Sequence, residues 1–389
     1  MDASLLLWLL LPVAALSGWL SAKRSLSDPD PHRRQLSANY LRGLNYLLNE
    51  QPDQAIDIFI KLIEVNSETV ETHLALGSLF RRRGEVNRAI RIHHNLMMRS
   101  TLNPQYHALA MLELGLDYQH AGLLDRAESL FQTLIGDGHY KTFAYRQLLL
   151  VYQQEQDWDK AIQIAWQLAE HSGETLHRVV AQYHCELAQK HRQQGLYEQS
   201  LLSLKKALQV DPDCVRASLL EGQFALDKRY RLQAIEAFRR IEHQDPVFLS
   251  EAIEALHICY REEGQLDLFR EYLQRILRQY GGISAMLALA RLIREQAGEA
   301  AALAFVVKHL HERPSLRGLD YCIDLSLSNA TAAGRENLSL FKEITAQLLK
   351  NRPIYKCREC GFSGKTLHWQ CPSCKQWHST RPIQGLEGE

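Results

Sequence analysis

The alternation of apolar and polar residues changes character along the chain. Ala3 to Ala22 holds no charged residue over 20 positions. At about 1.5 Å per helical residue, such a stretch spans roughly 30 Å, one hydrocarbon core of a bilayer. From about Leu36 the apolar residues recur at helical spacing, and the helices themselves recur. A small residue in the middle of a first helix is followed three positions on by an aromatic and twelve on by an alanine. Four positions after that alanine comes a second aromatic. Gly43, Tyr46, Ala55 and Phe59 form one such set, and Gly77, Phe80, Ala89 and His93 the next. Gly115, Tyr118, Ala127 and Phe131 form another, as do Gly222, Ala225, Ala234 and Phe238, the last closed by Pro246. Weaker sets centre on Leu149, Ala188, Leu256 and Ala290, and glycines at 84, 122, 195 and 264 punctuate the helices.

The steps between these eight positions are 34, 38, 34, 39, 34, 34 and 34 residues. A 34-residue helix-turn-helix period is that of the tetratricopeptide repeat. The expected fold is all-α: a superhelical solenoid of such repeats, with one N-terminal transmembrane helix and a small C-terminal domain. The small residues let the two helices approach, and the later alanine and aromatic are expected to pack on the next unit. Stacked pairs present a concave binding face. The positions that line it carry Arg81, Arg82, Arg146, Arg192, Arg216, Arg261, Arg291 and Arg294, against the acids Glu71, Asp227 and Glu295. Guanidinium forks suit carboxylate-bearing partners, although solvated helix charges would look the same. Leu303 to Glu312 and Leu338 to Leu349 read as amphipathic capping helices.

Charge then fixes the orientation of the first segment. Met1-Asp2-Ala3-Ser4 lacks the basic start of a cleaved signal peptide, whereas Lys23, Arg24, Arg33 and Arg34 follow the apolar run. An uncleaved anchor with the rest of the chain facing the cytoplasm is the expected arrangement. Residues 1–22 are then the anchor, 23–35 a linker, 36–312 the repeats, 313–352 the cap and 353–389 the terminal domain. Lys plus Arg and Asp plus Glu each number 45, so no global charge draws the chain to nucleic acid.

Of eight cysteines, Cys185, Cys214, Cys259 and Cys322 are scattered through helical stretches as small apolar residues are. The other four, Cys357, Cys360, Cys371 and Cys374, form two C-x-x-C pairs separated by ten residues. Four thiolates at that spacing suit one tetrahedral ion, Zn or Fe, with no position left open for substrate. Gly361 follows the second cysteine, where the turn tends to need a positive φ. The short connection Lys350-Asn351-Arg352-Pro353 is expected to dock this knuckle on the end of the solenoid, burying Phe362, Trp369 and Trp377. No phosphate loop, zinc-protease helix or nucleophile elbow occurs, so binding rather than catalysis is expected.

The order of parts, with the stretches Phe80 to Met97 and Tyr355 to Gly388, resembles the lipopolysaccharide assembly protein B family of Gram-negative bacteria. The resemblance implies an inner-membrane, cytoplasm-facing adaptor that presents the deacetylase of lipid A synthesis to the membrane AAA+ protease FtsH. It also implies a link to an inner-membrane regulator that relieves this action when lipopolysaccharide is scarce. The family's knuckle is rubredoxin-type, and Cys357, Cys360, Cys371 and Cys374 match its ligands. Lys375 stands where a second glycine is usual in rubredoxins. The alternatives are an electron-transfer iron site on a repeat scaffold and a nucleic-acid-binding zinc ribbon, the latter disfavoured by the balanced charge and the anchor.

Overall fold

The computed structural model describes residues 70–389 except 101, 329 and 387, together with scattered positions before residue 70. The expected anchor and linker lie outside the described residues apart from Ser17 and Trp19, and so does Phe59 of the first repeat. Among the described residues no helix is long and apolar enough to cross a membrane. Two compact units divide the chain, Met1–Asp157 and Trp158–Glu389.

The first unit contains helices α1 (Val70–Arg82), α2 (Val86–Met97), α3 (Pro104–His120), α4 (Leu124–Asp137) and α5 (Lys141–Glu155). Each predicted small residue falls in the first helix of a pair, and the reason it must be small is visible. A Cβ on Gly77 would stand 2.3 Å from the His93 ring, and one on Gly115 2.6 Å from Phe131. The second aromatic position of the pattern therefore covers the glycine of its own repeat, and at His93 it also reaches Asp117 of the next one.

His93 occupies the place that Phe131 fills in the following repeat, and being polar it needs partners. Its Nδ1 lies 2.5 Å from Asp117 Oδ2 and its Nε2 3.3 Å from the Leu74 carbonyl, with both side chains fully buried. Arg81 completes the set, reaching Asp117 and Glu113 at 2.7 Å each. A buried network of this kind holds its members in one arrangement only if each is satisfied, and here α1, α2 and α3 all contribute.

The second unit continues with α6 (Trp158–Ser172), α7 (His177–Gln193), α8 (Tyr197–Val210), α9 (Val215–Asp227) and α10 (Arg231–Gln244). A 3-10 turn at Pro246–Phe248 leads into α11 (Ser250–Glu262), α12 (Leu266–Gln279), α13 (Ile283–Ala297) and α14 (Glu299–Glu312). Gly222 repeats the logic of the first unit, a Cβ there meeting Phe238 at 2.6 Å. Its core runs from Val215 through Phe238, Phe248 and Leu256 to Leu292.

Within a pair the two helices are joined by Schellman-type turns: the Leu196 N–H bonds to the His191 carbonyl and the Gln265 N–H to that of Tyr260, over glycines of positive φ. That left-handed residue follows the small position by seven residues at Ala188 and Gly222, but by eight at Leu256. His257 is thus the structural counterpart of the glycines in that repeat. Beyond α14 the cap is a full helix pair, α15 (Leu316–Leu327) and α16 (Ala332–Asn351), longer than the apolar spacing indicated. Ser315 caps α15 by accepting from the Gly318 N–H. The terminal domain is not helical. Its strands β1 (Tyr355–Cys357), β2 (Ser363–Gly364) and β3 (Thr380–Pro382) form an antiparallel sheet in the order β2-β1-β3.

Candidate metal centre

Two tight turns deliver the four thiols. After β1 the chain turns through Cys357 to Gly361, the Gly361 N–H bonding to the Cys357 carbonyl at 3.1 Å with φ of +77°. The second turn repeats this: the Lys375 N–H bonds to the Cys371 carbonyl at 2.9 Å, and Lys375 takes φ of +60°. Lysine adopts there the conformation that glycine adopts in the first turn.

The four sulfurs lie within 4.8 Å of one another. Cys357 and Cys374 Sγ are 3.7 Å apart, and Cys360 and Cys371 Sγ 3.6 Å. A tetrahedron with metal–sulfur bonds of about 2.3 Å has edges of about 3.8 Å, so the set fits one tetrahedral ion.

The electrostatics agree. Desolvation pushes the Cys357 thiol up, but the Ser379 hydroxyl and the backbone N–H groups of Cys360 and Glu359 outweigh it, bringing the thiol down to about 6. The Phe362 N–H lowers Cys360. Cys374 receives the Gln376 N–H, yet crowding by the other thiols pushes it up to about 12. Four thiolates cannot share this space without a cation at their centre. Bound there, a divalent ion would be held by Cys357, Cys360, Cys371 and Cys374 and would supply cross-linking, since every corner is a protein ligand. His368 takes no part, bonding to Thr366 Oγ1 at 2.9 Å and meeting the Phe362 ring.

The knuckle packs elsewhere than the short connection suggested. Instead of sitting on the end of the repeats, it folds back over the first helices of several pairs in the second unit. The Trp377 ring centroid lies 6.2 Å from that of Trp158 and 5.7 Å from that of Tyr183, both edge-on, while the Arg216 guanidinium covers it at 6.0 Å. Trp369 stacks on Phe248 at 5.5 Å, and His378 contacts both rings. Arg381 pairs with Asp245 at 2.7 Å, and the Tyr355 hydroxyl donates to Glu251 at 2.9 Å. Glu389 fastens the tail to Ser284 and Arg317. Trp369 and Trp377 pack into the contact as expected, each half-buried. Phe362 instead stays within the knuckle, beside His368 and Gly364.

This docking decides what the predicted groove arginines do. Arg216 is 4% exposed, bonded to Glu186 at 2.9 Å and to Gln189, and lies under Trp377. It serves the knuckle. Arg81 belongs to the His93 network. Arg192 pairs with Asp227, Arg291 with Glu254 at 3.0 Å and Arg294 with Glu299 at 2.6 Å, all on the surface. Arg82, Arg146 and Arg261 are exposed. Sequence reasoning missed Trp158, Tyr183, Asp245, Phe248 and Glu251 as the docking face, because none belongs to the repeat pattern. A tryptophan opening a helix and a phenylalanine in the turn after Pro246 were the available hints.

Fold and site together define a tetratricopeptide-repeat protein whose C-terminal four-cysteine metal knuckle is docked on its own repeats. Tetratricopeptide repeat models match residues 72–105 and 185–247, and a rubredoxin metal binding domain model matches residues 355–382. Lipopolysaccharide assembly protein B of Escherichia coli strain K12 is 37% identical over 385 residues, covering 98% of this chain and 99% of the relative. The Haemophilus influenzae protein of the same name is 37% identical over 397 residues, with the same coverage. The chain belongs to the lipopolysaccharide assembly protein B family. Solved tetratricopeptide structures are similar more loosely. MamA of Desulfovibrio magneticus RS-1 is 14% identical over 46% of this chain and 96% of its own, with a TM-score of 0.31. A repeat protein of Parabacteroides merdae is 14% identical over 72% and 100%, with a TM-score of 0.33, a likeness too slight to bear on function.

Proposed function

We propose that this chain is a membrane-held adaptor in lipopolysaccharide assembly. In this reading it lowers lipid A synthesis by presenting the pathway's deacetylase to the membrane protease FtsH, and an inner-membrane regulator relieves that action. The observation that carries the reading is identity of 37% along 98% of the chain to relatives named for lipopolysaccharide assembly. Helix pairs supply a binding surface, and a metal centre with four protein ligands leaves no position for substrate. Both features support binding over catalysis. The uncharged run from Ala3 to Ala22 followed by Lys23 and Arg24 supports an N-terminal anchor with the repeats on the cytoplasmic side. Such an anchor would raise the local concentration of adaptor beside a membrane protease.

The knuckle is proposed to be structural, cross-linking the terminal strands and holding the tail against the repeats, with Zn or Fe in the site. Crosslinking in membranes followed by pull-down of the tagged chain tests the partnership. Recovery of both protease and deacetylase is expected, and recovery of neither at native abundance contradicts it.

A further inference from the structure

In the turns that join the helices of each pair the left-handed residue is usually glycine, Gln156 and Arg229 being exceptions. In the second unit the left-handed residue is Gly195 after α7 and Gly264 after α11, but Arg229, at φ of +63°, after α9. An L-residue held there costs about 1–2 kcal/mol relative to ordinary backbone. Glycine would relieve that cost, yet the turn reads Lys228-Arg229-Tyr230-Arg231-Leu232. Its apolar members point outward: Tyr230 is 59% and Leu232 63% exposed.

The neighbouring turn joins them. Lys228 Nζ sits 3.8 Å from the Tyr197 ring centroid, which sets Tyr197 beside the turn that carries Tyr230 and Leu232, with Leu201 one helical turn on and Leu196 and Leu202 also exposed. Lys205 and Lys206 are exposed on the same helix, α8. Arg231 is taken by Glu262. Lys228, Arg229 and, two turns along α8 from Tyr197, Lys205 thus flank the leucines and tyrosines, with Glu198 and Glu236 as the exposed acids of α8 and α10 nearby.

We propose that this edge of the second unit, the α9–α10 turn with the outer face of α8, is a contact surface for an anionic lipid bilayer. Its apolar tips stand outward as separate side chains. Leucine and tyrosine tips between lysines suit the headgroup layer, where apolar side chains enter the acyl boundary and each nearby cation gains about 1 kcal/mol from anionic lipid. The positive φ at Arg229 is then the local cost of placing a cation at the tip of the turn.

The test uses the full chain with a spin label at Leu232→Cys. The label is attached to metal-loaded protein and the parent chain serves as the unlabelled control, because Cys185, Cys214, Cys259 and Cys322 are buried while Cys360 is exposed and would be engaged by the ion together with Cys357, Cys371 and Cys374. Nanodiscs of phosphatidylglycerol and phosphatidylethanolamine are compared with nanodiscs of phosphatidylcholine. The expected result is a rise of about threefold or more in oxygen relative to nickel-chelate collision at residue 232 on the anionic discs. The K228E/R229E pair should abolish the rise, while a label at Leu150→Cys, on an exposed position of the first unit, stays unchanged. Equal accessibility in both lipids overturns the proposal. So does a rise that persists in K228E/R229E, and so does protection that appears only when a membrane extract supplies a protein partner. Circular dichroism of the charge-reversed chain, unchanged from the parent, separates lost contact from lost folding.

Discussion

Trp377→Ala is the substitution that most directly separates holding a metal from holding the knuckle in place. Trp377 bonds to no metal, yet its ring meets Trp158, Tyr183 and the Arg216 guanidinium. A tryptophan covers about 200 Å². With roughly half of that removed from water by the contact, area burial at about 25 cal/mol per Å² gives about 2.5 kcal/mol. Two edge-on aromatic contacts add about 0.5–1.5 kcal/mol each, and Arg216 loses the ring that covers it. Loss of docking stability should total about 3.5–5.5 kcal/mol, close to the cost of truncating a large aromatic in a core. That is a factor of 100 or more in the docked-to-undocked ratio.

The assay is amide hydrogen exchange on the metal-loaded protein, following β1 to β3 and the start of α7. Exchange in α7 near Tyr183 should accelerate, while elemental analysis still finds one ion per chain. If protection in α7 is unchanged, the aromatic contact does not hold the knuckle to the repeats. If the ion is lost as well, docking and metal binding form one cooperative unit and are not separable.

Other substitutions probe separate layers of the account. Gly222→Ala places a Cβ 2.6 Å from Phe238, and overpacking of this kind costs about 1–3 kcal/mol. Urea titration should show a lower midpoint with an unchanged slope. Lys375→Gly relieves the positive φ of the second cysteine turn and should stabilise the knuckle by about 1 kcal/mol. A slower release of metal to a chelator is the expected readout. Replacing Cys371 and Cys374 together with serine should release the ion and unfold the strands, leaving helical circular dichroism nearly intact and activity lost. In the parent protein, a colourless preparation with one zinc per chain is expected if the site is purely structural, whereas a reversible iron redox spectrum would revive the electron-transfer alternative.

Much of the repeat architecture was readable because its chemistry is local. Gly77, Gly115 and Gly222 must be small since a ring lies directly over each, and that ring sits sixteen residues on in the same pair. The cysteine turns were readable for the same reason. The destination of the knuckle was not. Trp377 meets Trp158 and Tyr183 across some two hundred residues, and no spacing rule links them. Arg216 shows the limit most clearly. Its helical position was right for a groove-lining side chain, but the groove at that point is filled by the chain's own C-terminal domain. The repeat pattern places His93 at an aromatic position, and only the structure shows Asp117 and Arg81 gathered around it.

The half-life of the lipid A deacetylase in growing cells tests the central claim most directly. It is measured after translation is stopped, in cells that lack this chain and in cells that carry it at native abundance. The adaptor account predicts a deacetylase that persists without the chain and is degraded several-fold faster with it. That acceleration should disappear when the protease is inactivated or when Met1 to Ala22 is deleted. An unchanged half-life with and without the chain would contradict the account.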